Sequence, residues 1–69
     1  MAKIKIIWND NSISYVSKYA NATRFIEEAK EYRTILTAER NARIYLYNNS
    51  LIKEVRIIDE EDNKEYYIF

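Results

Sequence analysis

The 69-residue chain contains no histidine, cysteine, glycine or proline. Without histidine and cysteine it lacks the commonest general base, the thiol nucleophile and the preferred zinc ligands. Without glycine it cannot form a glycine-rich phosphate-binding loop, and without cysteine it cannot form a disulfide. We therefore expect no catalytic site, no metal site and no cofactor.

The absence of glycine and proline is part of a wider bias, because these residues average about 7% and about 5% of protein sequences. Lysine, asparagine, isoleucine, tyrosine and phenylalanine, which have A- and T-rich codons, make up nearly half of the chain. The bias indicates a low-GC bacterium, one of its phages or a mobile element. In size and composition the chain is similar to the accessory and inhibitor proteins that such elements carry, although no motif supports the likeness.

The charges of the chain balance, with eleven basic and eleven acidic side chains and a formal net charge of zero. No overall positive field therefore attracts nucleic acid or a membrane surface. Residues 1–8 are followed at once by polar residues, whereas a signal peptide has a continuous apolar run. No stretch approaches the roughly 18 apolar residues of a membrane span. We expect a cytoplasmic protein that does not bind a membrane.

The N-terminal residues predict a β-hairpin. Lysine and isoleucine alternate over residues 3–8, and residues 13–17 predict a returning strand. A loop over residues 9–12 would pair Trp8 with Ile13 and Ile6 with Tyr15. One face of the hairpin would then be apolar and buried, and it would carry Ile4, Ile6, Trp8, Ile13 and Tyr15.

The middle of the chain predicts a helix from about Ala20 to Leu36, where apolar residues recur at helical spacing. Asn21 or Thr23 would cap its start, and Asn41 would end it because asparagine tolerates the left-handed conformation. The β-branched residues within 33–41 also suit a strand, so helix, strand and loop stay open for that stretch.

Asn48-Asn49 suits the type I′ turn of a second hairpin, with residues 43–47 as its first strand. This turn would pair Tyr45 with Ile52 and Arg43 with Glu54. A last strand over residues 65–69 would follow an acidic loop. Together these elements predict an α+β, two-layer fold over residues 1–69 as one small domain, in which an antiparallel sheet of about five strands, in the order ββαβββ, has one helix packed on one face.

The predicted registers also define the two faces of the sheet. The set with one charge should face the helix, and it consists of Ile44, Leu46, Leu51, Lys53, Val55 and Ile57. The helix-free face would carry aromatic, aliphatic and basic side chains. Tyrosine and arginine are enriched at protein contacts and carry much of their energy. We therefore expect a non-catalytic protein-binding module whose partner is a host or phage protein, for example a defence or nucleic-acid-processing enzyme that it inhibits. The predicted partner-binding residues are Lys5, Arg43, Tyr45, Tyr47, Ile52, Arg56 and Tyr67.

Three alternatives stay open at this point. Tyrosines interleaved with cations on a strand also suit stacking on the bases of single-stranded nucleic acid, with Lys5, Arg43, Tyr45 and Tyr47 as the contacts. The same tyrosines have a purely structural interpretation, because tyrosine is a strong strand former on half-exposed surfaces. A homodimer through an edge strand is the third alternative.

Overall fold

The structure is a computed structural model that describes residues 1–19 and 21–69. The described residues form a five-stranded antiparallel sheet with the strand order β3-β2-β1-β4-β5, and one α-helix packs on one face against β1 and β4. The predicted two-layer α+β fold is therefore confirmed. The elements are β1 (Ala2–Trp8), β2 (Ile13–Val16), β3 (Ala22–Thr23), a 3-10 helix (Ile26–Glu28), α1 (Ile35–Leu46), β4 (Ile52–Asp59) and β5 (Lys64–Tyr67).

The order of elements along the described chain is βββαββ, which differs from the predicted ββαβββ. The predicted helix from Ala20 to Leu36 is wrong: Thr23 belongs to a strand, and residues 24–34, all of them described, contain a short 3-10 helix and no α-helix. Ala20 itself lies outside the described residues.

Backbone pairing over a long sequence distance explains why residues 29–32 are extended. The backbones of Tyr32 and Ala2 exchange two hydrogen bonds of 2.7 and 2.8 Å, and Lys30 N–H donates to the Val16 carbonyl at 2.8 Å. Ala29 and Tyr32 are buried in this arrangement. The segment thus satisfies its backbone against β1 and β2, and tertiary context overrides the local helical spacing.

The helix of this fold lies later in the chain, at Ile35–Leu46, and it contains residues 43–46, four of the five residues of the predicted strand 43–47. Thr34 caps its start by accepting a hydrogen bond of 3.1 Å from Thr37 N–H. Ala38 and Ala42, four residues apart, are fully buried and let the helix approach the sheet closely.

The predicted strand over residues 43–47, its type I′ turn and its pairing of Tyr45 with Ile52 and of Arg43 with Glu54 are therefore wrong. Asn41, the predicted helix end, lies inside α1. Asn49 instead helps to close the chain after the helix: its N–H donates to the Leu46 carbonyl at 3.2 Å and its Oδ1 accepts from Leu51 N–H at 2.9 Å.

The first hairpin exists, but its register differs by one residue from the prediction. Ile6 pairs with Ser14 and Ile7 with Ile13, because Trp8 N–H donates to the Ser12 carbonyl at 2.9 Å and residues 9–11 form the turn, in which Asn11 has a φ of 69°. A shift of one residue exchanges the two faces of a strand. Ile4 and Ile6 are buried as predicted, whereas Ile13 and Tyr15 lie on the helix-free face.

Asp10 stabilises this turn through two hydrogen bonds to its Oδ1, from Ser12 Oγ at 2.6 Å and from Ser12 N–H at 2.9 Å. The bond from the Ser12 hydroxyl is the larger cause and the bond from Ser12 N–H the second, and both lower the pKa of the Asp10 carboxyl below its ordinary value of 3.8. A lowered folded-state pKa means that this contribution to stability is present above the unfolded value of 3.8 and is lost as the pH falls through the folded value.

An NMR titration of the Asp10 carboxyl should accordingly give a pKa below 3.8. Ser12→Ala removes the hydroxyl donor and keeps the backbone donor, so it should raise this pKa part of the way back. A pKa of Asp10 that is the same in both proteins would show that the Ser12 hydroxyl is not the cause.

The hairpin of β4 and β5 is confirmed, with Asp59 paired to Lys64 and Asn63 in the left-handed conformation at a φ of 54°. Val55 and Ile57 are buried beneath the helix, as predicted. The core of the described residues consists of Ala2, Ile4, Tyr32, Ala38, Ala42, Val55 and Ile57.

Candidate interaction surface

The structure divides the predicted partner-binding residues among three places. Lys5, Arg56 and Tyr67 lie side by side on β1, β4 and β5, on the helix-free face. Arg43 and Tyr45 belong to α1, and Tyr47 follows it directly. Their predicted position on the sheet is therefore wrong.

Ile52 is on the opposite face from its predicted one. The register between β1 and β4 shifts at Ile7 and Trp8, so that Ile7 pairs with Glu54 while Trp8 pairs with Ile52. Such a bulge inserts one extra residue into a strand and turns the following side chains over. Ile52 is consequently half-buried and packs against the core.

A row of side chains on the helix-free face crosses all five strands at neighbouring positions. Lys5 Nζ lies 3.2 Å from Glu65, and the Arg56 guanidinium lies 3.0 Å from Glu54 and 3.5 Å from Glu65. Carboxylates on the same face therefore neutralise the two cations of the row. The row consists of Thr23, Tyr15, Lys5, Arg56 and Tyr67.

The side of α1 that faces away from the sheet carries three exposed apolar side chains. Leu36, Ile44 and Tyr47 expose 63%, 65% and 62% of their surfaces. With Arg40 they follow the spacing of one helix side, opposite the buried Ala38 and Ala42. Single exposed apolar residues are common, but several on one side of a helix mark a contact surface. We call Leu36, Arg40, Ile44 and Tyr47 the outer helix stripe.

The stripe is held in place and carries positive charge. The Tyr47 ring packs edge to face on Phe69, with the ring centroids 5.3 Å apart and the planes at 73°. Arg43, beside the stripe, pairs with Glu39 at 3.1 Å. Arg40 takes part in none of the ion pairs found among the described residues. Its guanidinium is thus available to a partner.

Leu36, Arg40 and Ile44 are the stripe residues that were not predicted from the sequence. Leu36 was assigned to the apolar side of the earlier helix and Ile44 to the face of the sheet that the helix covers. Two pairs of residues in the sequence could have identified them. Ala38 and Ala42 are four residues apart, and so are the oppositely charged Glu39 and Arg43. Both pairs are features of a helix. They place residues 36 and 44 on the outer side.

The acidic turn between β4 and β5 has a structural role. Asp59 Oδ1 accepts hydrogen bonds from the backbone N–H groups of Glu61 at 3.1 Å and Asp62 at 3.5 Å, and Glu60 pairs with Lys3 at 3.1 Å. Across residues 1–19 and 21–69, no group of three or more potential metal-ligating side chains is found. Over the same residues, no helix has the length and apolar character that crossing a membrane requires.

Comparisons with known proteins find no match: no family model, no curated protein and no solved structure matches this chain. Of its two exposed faces, the sheet face has paired charges, and the outer helix stripe has exposed apolar groups beside an arginine.

Proposed function

We propose that this protein is a non-catalytic protein-binding module that docks on another protein through the outer helix stripe. The observation that carries the proposal is the exposure of Leu36, Ile44 and Tyr47, each above 60%, on one side of a helix whose other side is anchored by buried alanines. Burial of such groups is the main favourable term in protein association. Tyrosine and arginine beside them are the residue types that most often dominate binding energy.

The chemistry of the stripe suggests what the partner offers. An apolar groove would take Leu36, Ile44 and Tyr47, which is the helix-in-groove mode of recognition. Acidic groups at its rim would pair with Arg40. Because α1 is already packed on the sheet and Tyr47 on Phe69, docking would order few additional groups, which lowers the entropic cost of binding.

The composition of the chain supports a narrower form of this proposal. The bias toward A- and T-rich codons fits a phage or mobile element of a low-GC bacterium. We propose that the partner is a host protein in the cytoplasm, for example a defence or nucleic-acid-processing enzyme. We propose the role of accessory or inhibitor protein on this basis.

The alternatives have less support. Single-stranded nucleic acid would need free cations beside the tyrosines of the helix-free face, but Lys5 and Arg56 are paired with carboxylates there. A homodimer through the edge strand β5 stays a prediction, because β5 has one unpaired edge in the sheet order.

Affinity capture from a lysate of the host, with tagged wild-type protein and the variant Ile44→Asp, tests the proposal. The variant places a charge at the centre of the stripe, and we expect it to recover the specific partner at least about 30-fold less well, as loss of a central binding residue does. Circular dichroism should show that the variant is folded, because Ile44 is exposed.

Tyr67→Ser is the matched control, because Tyr67 is 66% exposed but lies on the helix-free face. It should recover the partner as well as the wild type does. Loss of the partner in Tyr67→Ser and retention in Ile44→Asp would move the binding surface to the sheet and overturn the assignment of the stripe. Equal recovery by all three proteins would exclude both surfaces.

A further inference from the structure

A cleft lies beside α1, on a different flank from the outer helix stripe. It has a volume of about 430 Å³ and opens between the end of β2, the extended segment before α1 and the helix itself. Small-molecule sites usually have volumes of about 300–1,000 Å³. The side chains that give it its chemistry are Lys18, Lys30, Tyr32, Asn41 and Tyr45.

The walls of the cleft are fixed by backbone hydrogen bonds. Lys30 N–H donates to the Val16 carbonyl at 2.8 Å, and an antiparallel bridge joins Ser17 and Ala29. Tyr32 is tied to the backbone of β1 in the same way. Lys30 therefore extends from a paired backbone segment, and Lys18 directly follows the bridged Ser17, so this wall of the cleft is formed before any ligand binds.

The described residues that line the cleft carry two positive charges and no negative charge, while Glu27 and Glu31 line an adjoining depression that the same two lysines border. Lys18 and Lys30 are absent from the ion pairs of the described residues, and the described residues that line the cleft include no aspartate or glutamate. Two unpaired ammonium groups in a concave site attract an anion, and a dianion matches their charge.

Tyr32 also lines the cleft, and its hydroxyl is a potential hydrogen-bond donor. Tyr32 is buried, and the Lys30 ammonium lies 5.2 Å from the centre of its ring. Burial, with a smaller contribution from Tyr45, raises the pKa of the Tyr32 hydroxyl above its usual value of 10.0. The hydroxyl is thus protonated at neutral pH and can donate to an anion.

The helix side of the cleft offers an aromatic surface and a polar acceptor. Tyr45 is 76% exposed, so the face of its ring is open to a planar group. Asn41 Nδ2 donates to the Thr37 carbonyl at 3.0 Å, which fixes the amide and leaves its Oδ1 free to accept from a ring N–H.

We propose that this cleft binds an aromatic phosphate of mononucleotide size. The phosphate lies between Lys18 and Lys30 with the Tyr32 hydroxyl as a donor, and the base stacks on Tyr45 near Asn41. The free nucleotide and the 5′-terminal nucleotide of a strand offer the same chemistry. This site is separate from the outer helix stripe, so it does not depend on the proposed function.

NMR titration of the labelled full chain with adenosine 5′-monophosphate tests the site. We expect saturable shifts of the backbone signals of Lys18, Lys30 and Tyr45, and weaker binding as the salt concentration rises. Adenosine and inorganic phosphate, tested separately, should each bind less tightly than the nucleotide. A 5′-phosphorylated oligonucleotide that binds more tightly than the nucleotide would identify a strand end as the source of the ligand, and equal or weaker binding would identify the free nucleotide.

Variants make the test specific. The double variant Lys18→Ala, Lys30→Ala should weaken binding of the nucleotide by about tenfold or more, since it removes both charge-assisted contacts. Lys53→Ala, Lys64→Ala removes the same charge outside the cleft and should bind as the wild type does. Tyr45→Ser should weaken binding of the nucleotide but not of phosphate.

Absence of saturable shifts at millimolar nucleotide, or equal weakening by the two double-lysine variants, would overturn the proposal. Ile44→Asp should bind the nucleotide normally, since Ile44 is not among the residues that line the cleft. Failure at the stripe and failure at the cleft are therefore distinguishable.

Discussion

Ile57→Ala should lower the free energy of unfolding by about 2–5 kcal/mol, the usual cost of removing a large buried aliphatic side chain. Ile57 is 0% exposed and lies opposite Ile4 in the strand pair beneath the helix. A chain of this size without disulfides has only about 3–5 kcal/mol of stability from its core. We therefore expect a large fraction of the variant to be unfolded at 25 °C, as measured by urea denaturation with circular dichroism and Trp8 fluorescence.

Ile13→Ala is the control for this prediction. This substitution removes the same number of atoms as Ile57→Ala does, but Ile13 is 43% exposed and lies on the helix-free face. Its cost should stay below about 1 kcal/mol, as for substitutions outside a core. If Ile13→Ala cost as much as Ile57→Ala, the face assignment of β2 would be wrong.

Ala42→Asp should destabilise the protein by about 3–5 kcal/mol, because it leaves an unpaired carboxylate in the core. Ala42 is fully buried on the sheet side of α1, whereas Ile44 is 65% exposed on the outer side. Ile44→Asp should cost about 1 kcal/mol or less, mainly through the lower helix propensity of aspartate. Urea denaturation of the two variants gives both values.

The comparison of these two aspartates also distinguishes a helix from a strand over this stretch. Residues two apart point to the same face of a strand but are about 200° apart around a helix. A strand would therefore give Ala42→Asp and Ile44→Asp similar costs. Equal destabilisation would contradict the helix, and the outer helix stripe would lose its basis.

The parts of the fold that were predictable are those with strict alternation. Ile4 and Ile6 in β1, and Val55 and Ile57 in β4, were predicted on the helix side and are buried there. The same alternation placed Lys5, Arg56 and Tyr67 on the opposite face, where the structure brings them together in one row. Period-two patterns of this kind specify a face without knowledge of the rest of the fold.

The parts that were not predictable depend on partners far away in sequence. Residues 29–32 have helical spacing locally, but their backbone groups pair with β1 and β2. Residues 43–47 are rich in strand-forming side chains, yet they continue a helix whose buried contacts are Ala38 and Ala42. Ile52 changed faces because of a bulge opposite Ile7 and Trp8. None of these competing contacts is visible in a local window of the sequence.

By itself the sequence determined which side chains the chain lacks, histidine and cysteine above all, and it predicted the α+β class with alternating central strands. The tertiary structure decided which aromatic residues are exposed and where: Tyr47 lies on the same helix side as Leu36 and Ile44, and Tyr45 lines the cleft together with Lys18 and Lys30. The physical reason is that a residue's face depends on register and on helix or strand period. A shift of one residue, or a change of period, reverses it.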